Sequence, residues 1–160
     1  MNLTIEPYLE PVEDTTSTTS VLPRILIVDD EAGIRDFIAE VLNETDYIAE
    51  AAVNGDIALK KLRDDHYDLL LVDYHMPRMT GCELISEMRA AGIHIPVVLM
   101  TGHCGELMAY HPDLQVNAIL EKPFLIHELM GILASVLSPA SDTAMINLAD
   151  VHESRRTCFF

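Results

Sequence analysis

Two adjacent acids, Asp29 and Asp30, a third at Asp73, a hydroxyl at Thr101 and an ammonium at Lys122 each stand at or beside the end of a short apolar run. Three carboxylates drawn within a few ångströms of one another repel, and the repulsion raises at least one carboxyl pKa. A hard divalent cation removes it, and Mg²⁺ takes one or two carboxylates together with waters and a phosphate oxygen. Beside such a cation, one carboxylate can attack phosphorus and become an aspartyl phosphate. A lysine then neutralises charge on the transferring group while a hydroxyl bonds one of its oxygens. The set suits a phosphoryl acceptor that uses Mg²⁺ or Mn²⁺. Any member alone means little, because a single Asp at a strand end is usually a helix cap. Joint occurrence is what carries the chemistry.

The segments that must position these residues alternate between two periods. Apolar runs at Arg24–Val28, 47–52, 68–72, 95–100 and 118–120 read as strands. Between them, helical spacing appears over 33–43 (Ile34, Phe37, Ile38, Val41, Leu42), 54–63 and 83–90, with a short helix at Cys104–Tyr110 and a longer one over 127–137. That is five strand–helix units in succession, with strands apolar on both faces. Such strands need helices on each side, so the expected fold is an α/β doubly wound parallel sheet. Ligands bind such sheets at the carboxyl ends of the strands, where the acids, the hydroxyl and the lysine fall. The sequence after the first strand, Asp29-Asp30-Glu31-Ala32-Gly33, lacks a glycine-rich phosphate loop and disfavours a dinucleotide.

The 160 residues are 49% hydrophobic and 22% charged, enough to bury a substantial core and too apolar for a disordered chain. Acids outnumber bases 26 to 10, for a formal charge of −16, and there is no basic run, which argues against nucleic acid as a partner. Three cysteines (Cys82, Cys104, Cys158) without a CxxC pair fit a reducing, cytoplasmic setting. The acidic, polar start is unlike a signal peptide, and no apolar run approaches the ~20 residues of a membrane helix. His103, Cys104 and His111 match no zinc spacing. We expect a flexible arm over 1–22, one domain over 23–138 and a tail over 139–160, in which Met145, Ile146, Leu148 and Val151 could make one amphipathic turn.

Taken in order, Ile25-Leu26-Ile27-Val28-Asp29-Asp30-Glu31, Asp73-Tyr74-His75-Met76-Pro77, Thr101-Gly102 and Lys122-Pro123-Phe124 resemble the receiver domain of two-component response regulators. The resemblance covers about residues 23 to 138. It implies a flavodoxin-like (βα)5 fold with strand order 2-1-3-4-5, and a phosphoacceptor that signals by protein–protein contact rather than as an enzyme, assisting only its own phosphorylation and dephosphorylation. By the same resemblance Asp73 is the phosphorylated position. Asp30, the Asp73 carboxylate and the backbone carbonyl of His75 would hold the metal, with Asp29 acting directly or through water. Lys122 would pair with Asp73 or its phosphoryl group, Thr101 would be the switch hydroxyl, and a cis bond is implied before Pro123. The implied partners are a histidine kinase or histidine phosphotransferase and a downstream protein, with no nucleic acid or membrane.

The sequence departs from the family in two places. The usual aromatic switch position, three residues before the lysine, is Ile119, and the fourth helix is cut short by His111-Pro112-Asp113. The output face is therefore expected to be atypical. His75 and His103 occupy variable positions that, in the family, affect how fast the aspartyl phosphate hydrolyses. Two alternatives stand beside a self-standing phosphorelay component. One is a receiver cut from a hybrid histidine kinase. The other is a Mg²⁺-dependent phosphohydrolase with an aspartyl intermediate, which would carry an Asp where His75 stands and would need a cap domain that so short a chain cannot hold.

Overall fold

The computed structural model describes residues 21–138 and 146–147. In chain order the elements are β1 (Arg24–Val28), α1 (Ala32–Asn43), β2 (Ile48–Ala52), α2 (Gly55–Asp64), β3 (Leu69–Asp73) and α3 (Gly81–Ala90). They continue with β4 (Val97–Thr101), α4 (Cys104–Tyr110), β5 (Gln115–Val116), β6 (Ala118–Glu121), α5 (Ile126–Leu137) and β7 (Ile146–Asn147). Five parallel strands form one sheet in the order β2-β1-β3-β4-β6. This is the doubly wound α/β fold expected, and counted within the sheet its order is 2-1-3-4-5. The difference lies in β5, a two-residue strand that the sequence reading omits, so the last strand of the sheet is the sixth in the chain.

Alternation along each strand divides the core in two. Ile25, Ile27, Leu69, Leu71, Val98 and Met100 face α1 and α5, meeting Ile38, Leu42, Leu129 and Leu133. Leu26, Val28, Leu70, Val72, Val97 and Leu99 face the other way, onto Leu59 and Leu62 of α2, Leu84 and Met88 of α3, and Leu107 of α4. β3 and β4 are buried at every position, as central strands covered on both faces must be. Each such Leu, Ile or Val contributes ~1.5–3 kcal/mol by leaving water.

Local signals set the ends of the elements. Asn54 caps α2, its side-chain oxygen accepting from the Ile57 N–H at 2.9 Å. α3 starts at Gly81, two residues before the sequence reading begins it. The reason is a capping box: the Thr80 hydroxyl accepts from the Glu83 N–H at 3.2 Å while the Glu83 carboxylate accepts from the Thr80 N–H at 2.8 Å. Between β5 and β6, buried Asn117 grips β4 twice, donating its N–H to the Val97 carbonyl at 2.8 Å and accepting from the Val97 N–H at 2.7 Å.

Of the 139–160 tail, only Ile146–Asn147 is described, and it is a strand pairing antiparallel with β5, not part of a helical turn. Backbone groups of Gln115–Val116 offer it a ladder that an isolated turn lacks. Residues 1–20 of the expected 1–22 arm and the remainder of the tail lie outside the described residues.

Candidate functional site

Three strands of the sheet end on one rim, and the residues singled out by type arrive there together. Asp29 follows β1 and is fully buried. One of its carboxylate oxygens accepts from the Glu31 N–H at 2.8 Å. Its own carbonyl accepts from a guanidinium N–H of Arg35, a buried residue of α1, at 3.0 Å. Asp30, next to it, points to solvent. Asp73 closes β3 and is 6% exposed. Carboxylate oxygens of Asp29, Asp30 and Asp73 all lie within 4.8 Å of one another. Lys122, beyond β6, bridges two of them, its Nζ lying 2.8 Å from Asp29 Oδ2 and 2.8 Å from Asp73 Oδ1.

The remaining positions flank this cluster. Thr101 ends β4, fully buried, and its hydroxyl accepts from the His103 N–H at 3.1 Å. Its carbonyl accepts from the Lys122 N–H at 2.8 Å, which ties the lysine's backbone to the end of β4. The Lys122–Pro123 peptide is cis, as the resemblance implied. The His75 side chain stays exposed and outside the carboxylate cluster. Its ring meets Tyr74 edge-on at 4.5 Å between centroids, and His103 lies 6.4 Å beyond it.

Electrostatics in this pocket are tense. Burial pushes the Asp73 carboxyl pKa up, and the hydrogen bond and charge of Lys122 only partly offset this, with Asp29 and Asp30 pushing upward as well. For Lys122, burial acts downward but the two carboxylate bonds outweigh it, so its pKa rises and the ammonium is retained. Three carboxylates against one ammonium leave the cluster short of positive charge. An all-oxygen donor set with that deficit fits Mg²⁺ or Mn²⁺.

Two supports escaped the sequence reading. Gly81 packs so tightly under the site that a Cβ there would sit 2.4 Å from the Asp73 carbonyl oxygen. Its N–H also donates to the Tyr74 carbonyl at 3.0 Å. Arg35 is the second, an i+6 partner of Asp29 on the buried side of α1. Neither is legible as chemistry in the sequence, because both act on backbone carbonyls.

Residues 25–134 match the family model described as response regulator receiver domain. This chain belongs to that family. The receiver is 37% identical over 116 residues to sporulation initiation phosphotransferase F of Bacillus subtilis (strain 168), covering 71% of this chain and 93% of the relative. It is 29% identical over 137 residues to response regulator MprA of Mycobacterium ulcerans (strain Agy99), covering 80% of this chain. The receiver spans 59% of the length of that MprA. Among solved structures, response regulator TrrA of Thermotoga maritima, in complex with Mg²⁺–BeF, superposes with a TM-score of 0.62 at 32% identity, over 72% of this chain and 99% of that one. Among the described residues, no helix is long and apolar enough to cross a membrane.

Proposed function

We propose that this receiver accepts a phosphoryl group on Asp73 from a phosphohistidine of a histidine kinase or histidine phosphotransferase, and signals by protein contact. The observation that supports this most is the Lys122 ammonium held at 2.8 Å from both Asp29 and Asp73 beside the exposed Asp30. An Asp73 oxygen attacks phosphorus, the P–N bond of the donor breaks, and its electron pair returns to the imidazole nitrogen. Lys122 shares its charge with the arriving phosphoryl oxygens, and the Thr101 hydroxyl donates to one of them. Asp30, Asp73 and the His75 carbonyl would hold Mg²⁺ or Mn²⁺, with Asp29 acting directly or through water, and the ion would supply the positive charge the cluster lacks. TrrA, a family relative, is described with Mg²⁺–BeF, and that supports the same metal here.

The receiver unit spans 23–138, with an arm before it and a tail after it, and works in the cytoplasm. Labelling at Asp73 is stoichiometric, which separates this reading from phosphohydrolase turnover. Intact mass after incubation with acetyl phosphate tests it. Wild type should gain one phosphoryl group only when Mg²⁺ is present, and Asp73→Asn none. Equal labelling of the Asn variant, or continuing hydrolysis of a small phosphomonoester, overturns it.

A further inference from the structure

Away from the phosphoacceptor rim, a cleft of about 420 Å³ opens between α3 and the α4–β5 connection. Its rim carries three carboxylates, Glu83, Glu87 and Asp113, and no Lys or Arg. Tyr110, 73% exposed, stands at the edge, and Leu114 and Cys82 supply apolar wall. The Cys82 thiol is pushed up to about 12 by burial, so it serves as packing surface and not as a nucleophile. An acidic cleft with an unshielded aromatic at its mouth suits a ligand that is basic and aromatic at once.

One segment of the chain has that composition: Arg155-Arg156-Thr157-Cys158-Phe159-Phe160. Its arginines are two of only ten basic residues in a chain of net charge −16. The β5–β7 pairing aims it. Gln115 is opposite Asn147 and Val116 opposite Ile146, in antiparallel sense. The antiparallel register thus points from Ile146 through Asn147 in the direction of Leu114 and Asp113, which are cleft residues. Eight further residues to Arg155 span at most ~26–29 Å, ample reach for a cleft that begins beside the pairing. We infer that the α3–α4 cleft is the docking site of this chain's own Arg155–Phe160 segment, held by the β5–β7 pairing, with arginines on the carboxylate rim and phenyl rings against Tyr110 and Leu114.

The tether is what favours this occupant over a second copy. Two surfaces of charge −16 repel in solution, whereas a short linker holds the segment at an effective concentration on the order of millimolar. The inference stands apart from the phosphoacceptor proposal, since it uses none of that site's residues. Its position gives it weight: His111 lines the cleft, and its ring meets that of Tyr74, the residue after Asp73, at 5.8 Å.

A photo-crosslinking phenylalanine analogue in place of Phe159 of the full chain tests it, in a 1:1 mixture of ¹⁴N and ¹⁵N protein. Adducts should map to residues 82–87 or 110–114 and join atoms of one isotope only. Arg155→Glu with Arg156→Glu should cut the yield roughly three- to tenfold, as expected for a few charge pairs made with exposed carboxylates. Glu87→Lys with Asp113→Lys should restore it in that background. Mixed-isotope adducts would assign the cleft to a second copy and overturn the inference. Adducts elsewhere, no adducts, or a yield indifferent to the charge reversals would overturn it too. Thermal melts of each variant establish that the fold is intact.

Discussion

Gly81→Ala is the sharpest test of how the site is held. Ordinary contact for a Cβ begins at 3.4 Å, and here it would stand 2.4 Å from the Asp73 carbonyl oxygen, 3.1 Å from its carbon and 3.2 Å from Leu99 Cδ1. The start of α3 and the end of β3 must therefore part by about 1 Å. Both are backbone, and one belongs to a fully buried central strand, so neither yields freely. Overpacking of this kind costs ~1–3 kcal/mol, offset by ~0.5–1 kcal/mol from replacing a helical glycine. The net loss of about 1–2 kcal/mol lowers Tm by roughly 4–8 °C for a domain of this size. Gly55→Ala is the matched control. Its Cβ would lie equally near a neighbour, 2.4 Å from Met79 Sδ and 2.9 Å from its Cγ, but these belong to a flexible side chain that can change rotamer, leaving only a 3.1 Å approach to Met79 Cβ. Melts of the two variants should then differ, with Gly55→Ala within ~2 °C of wild type or above it. Phosphoryl labelling from acetyl phosphate should slow in Gly81→Ala alone, since only that change moves the Asp73 backbone. Equal melts, or a Gly81→Ala protein that labels at the wild-type rate, would refute the reasoning.

Removing the bridging cation is the complementary perturbation. Lys122→Ala strands the fully buried Asp29 and the nearly buried Asp73 without an ammonium. Breaking a buried pair costs ~3–5 kcal/mol, toward the lower end here because Lys122 keeps some solvent contact; melts with chelator should show the loss and melts with Mg²⁺ a partial recovery. Glu50 governs acid stability. Hydrogen bonds from Arg24, then Lys61 and Tyr67, hold its carboxyl down at about 2. A carboxyl with a depressed folded pKa contributes stability above its unfolded value, near ~4.3, that disappears as pH falls toward the folded one. Glu50→Gln should therefore flatten the decline in Tm between about pH 4.5 and pH 2, and a decline as steep as wild type's counts against the assignment. His75→Ala and His103→Ala should each change the phospho-Asp73 lifetime by twofold or more, because His75 follows Asp73 by two residues, the His103 N–H bonds the Thr101 hydroxyl, and the two rings lie 6.4 Å apart; identical lifetimes by intact mass would make them bystanders.

The architecture was legible because burial writes itself into pattern. β3 and β4 are continuous apolar runs that end in Asp73 and Thr101, and only a central, doubly covered strand needs apolar residues at every position. Element ends were less legible. The Thr80–Glu83 capping box is present as a T-x-x-E signature, yet helical periodicity, read from Leu84, Ile85 and Met88, begins the helix only at Glu83. β5 was missed because two residues carry no period, and its partner β7 sits thirty residues away in sequence.

The site divides along the same line. Asp29, Asp30, Asp73 and Lys122 were readable because side-chain chemistry shows as residue type at a strand end, and parallel topology places all strand ends on one rim. Gly81, Arg35 and Asn117 were not, because each acts on a backbone carbonyl or amide whose neighbour depends on how loops fold over the sheet. Yet these contacts decide whether four correctly typed residues form a pocket. Arg35 fixes the Asp29 backbone, Gly81 lets α3 approach Asp73, and Asn117 ties the segment leading to Lys122 onto β4. A substitution that keeps every acid and the lysine but fills the space at Gly81 should therefore impair the site more than many changes to the exposed residues around it.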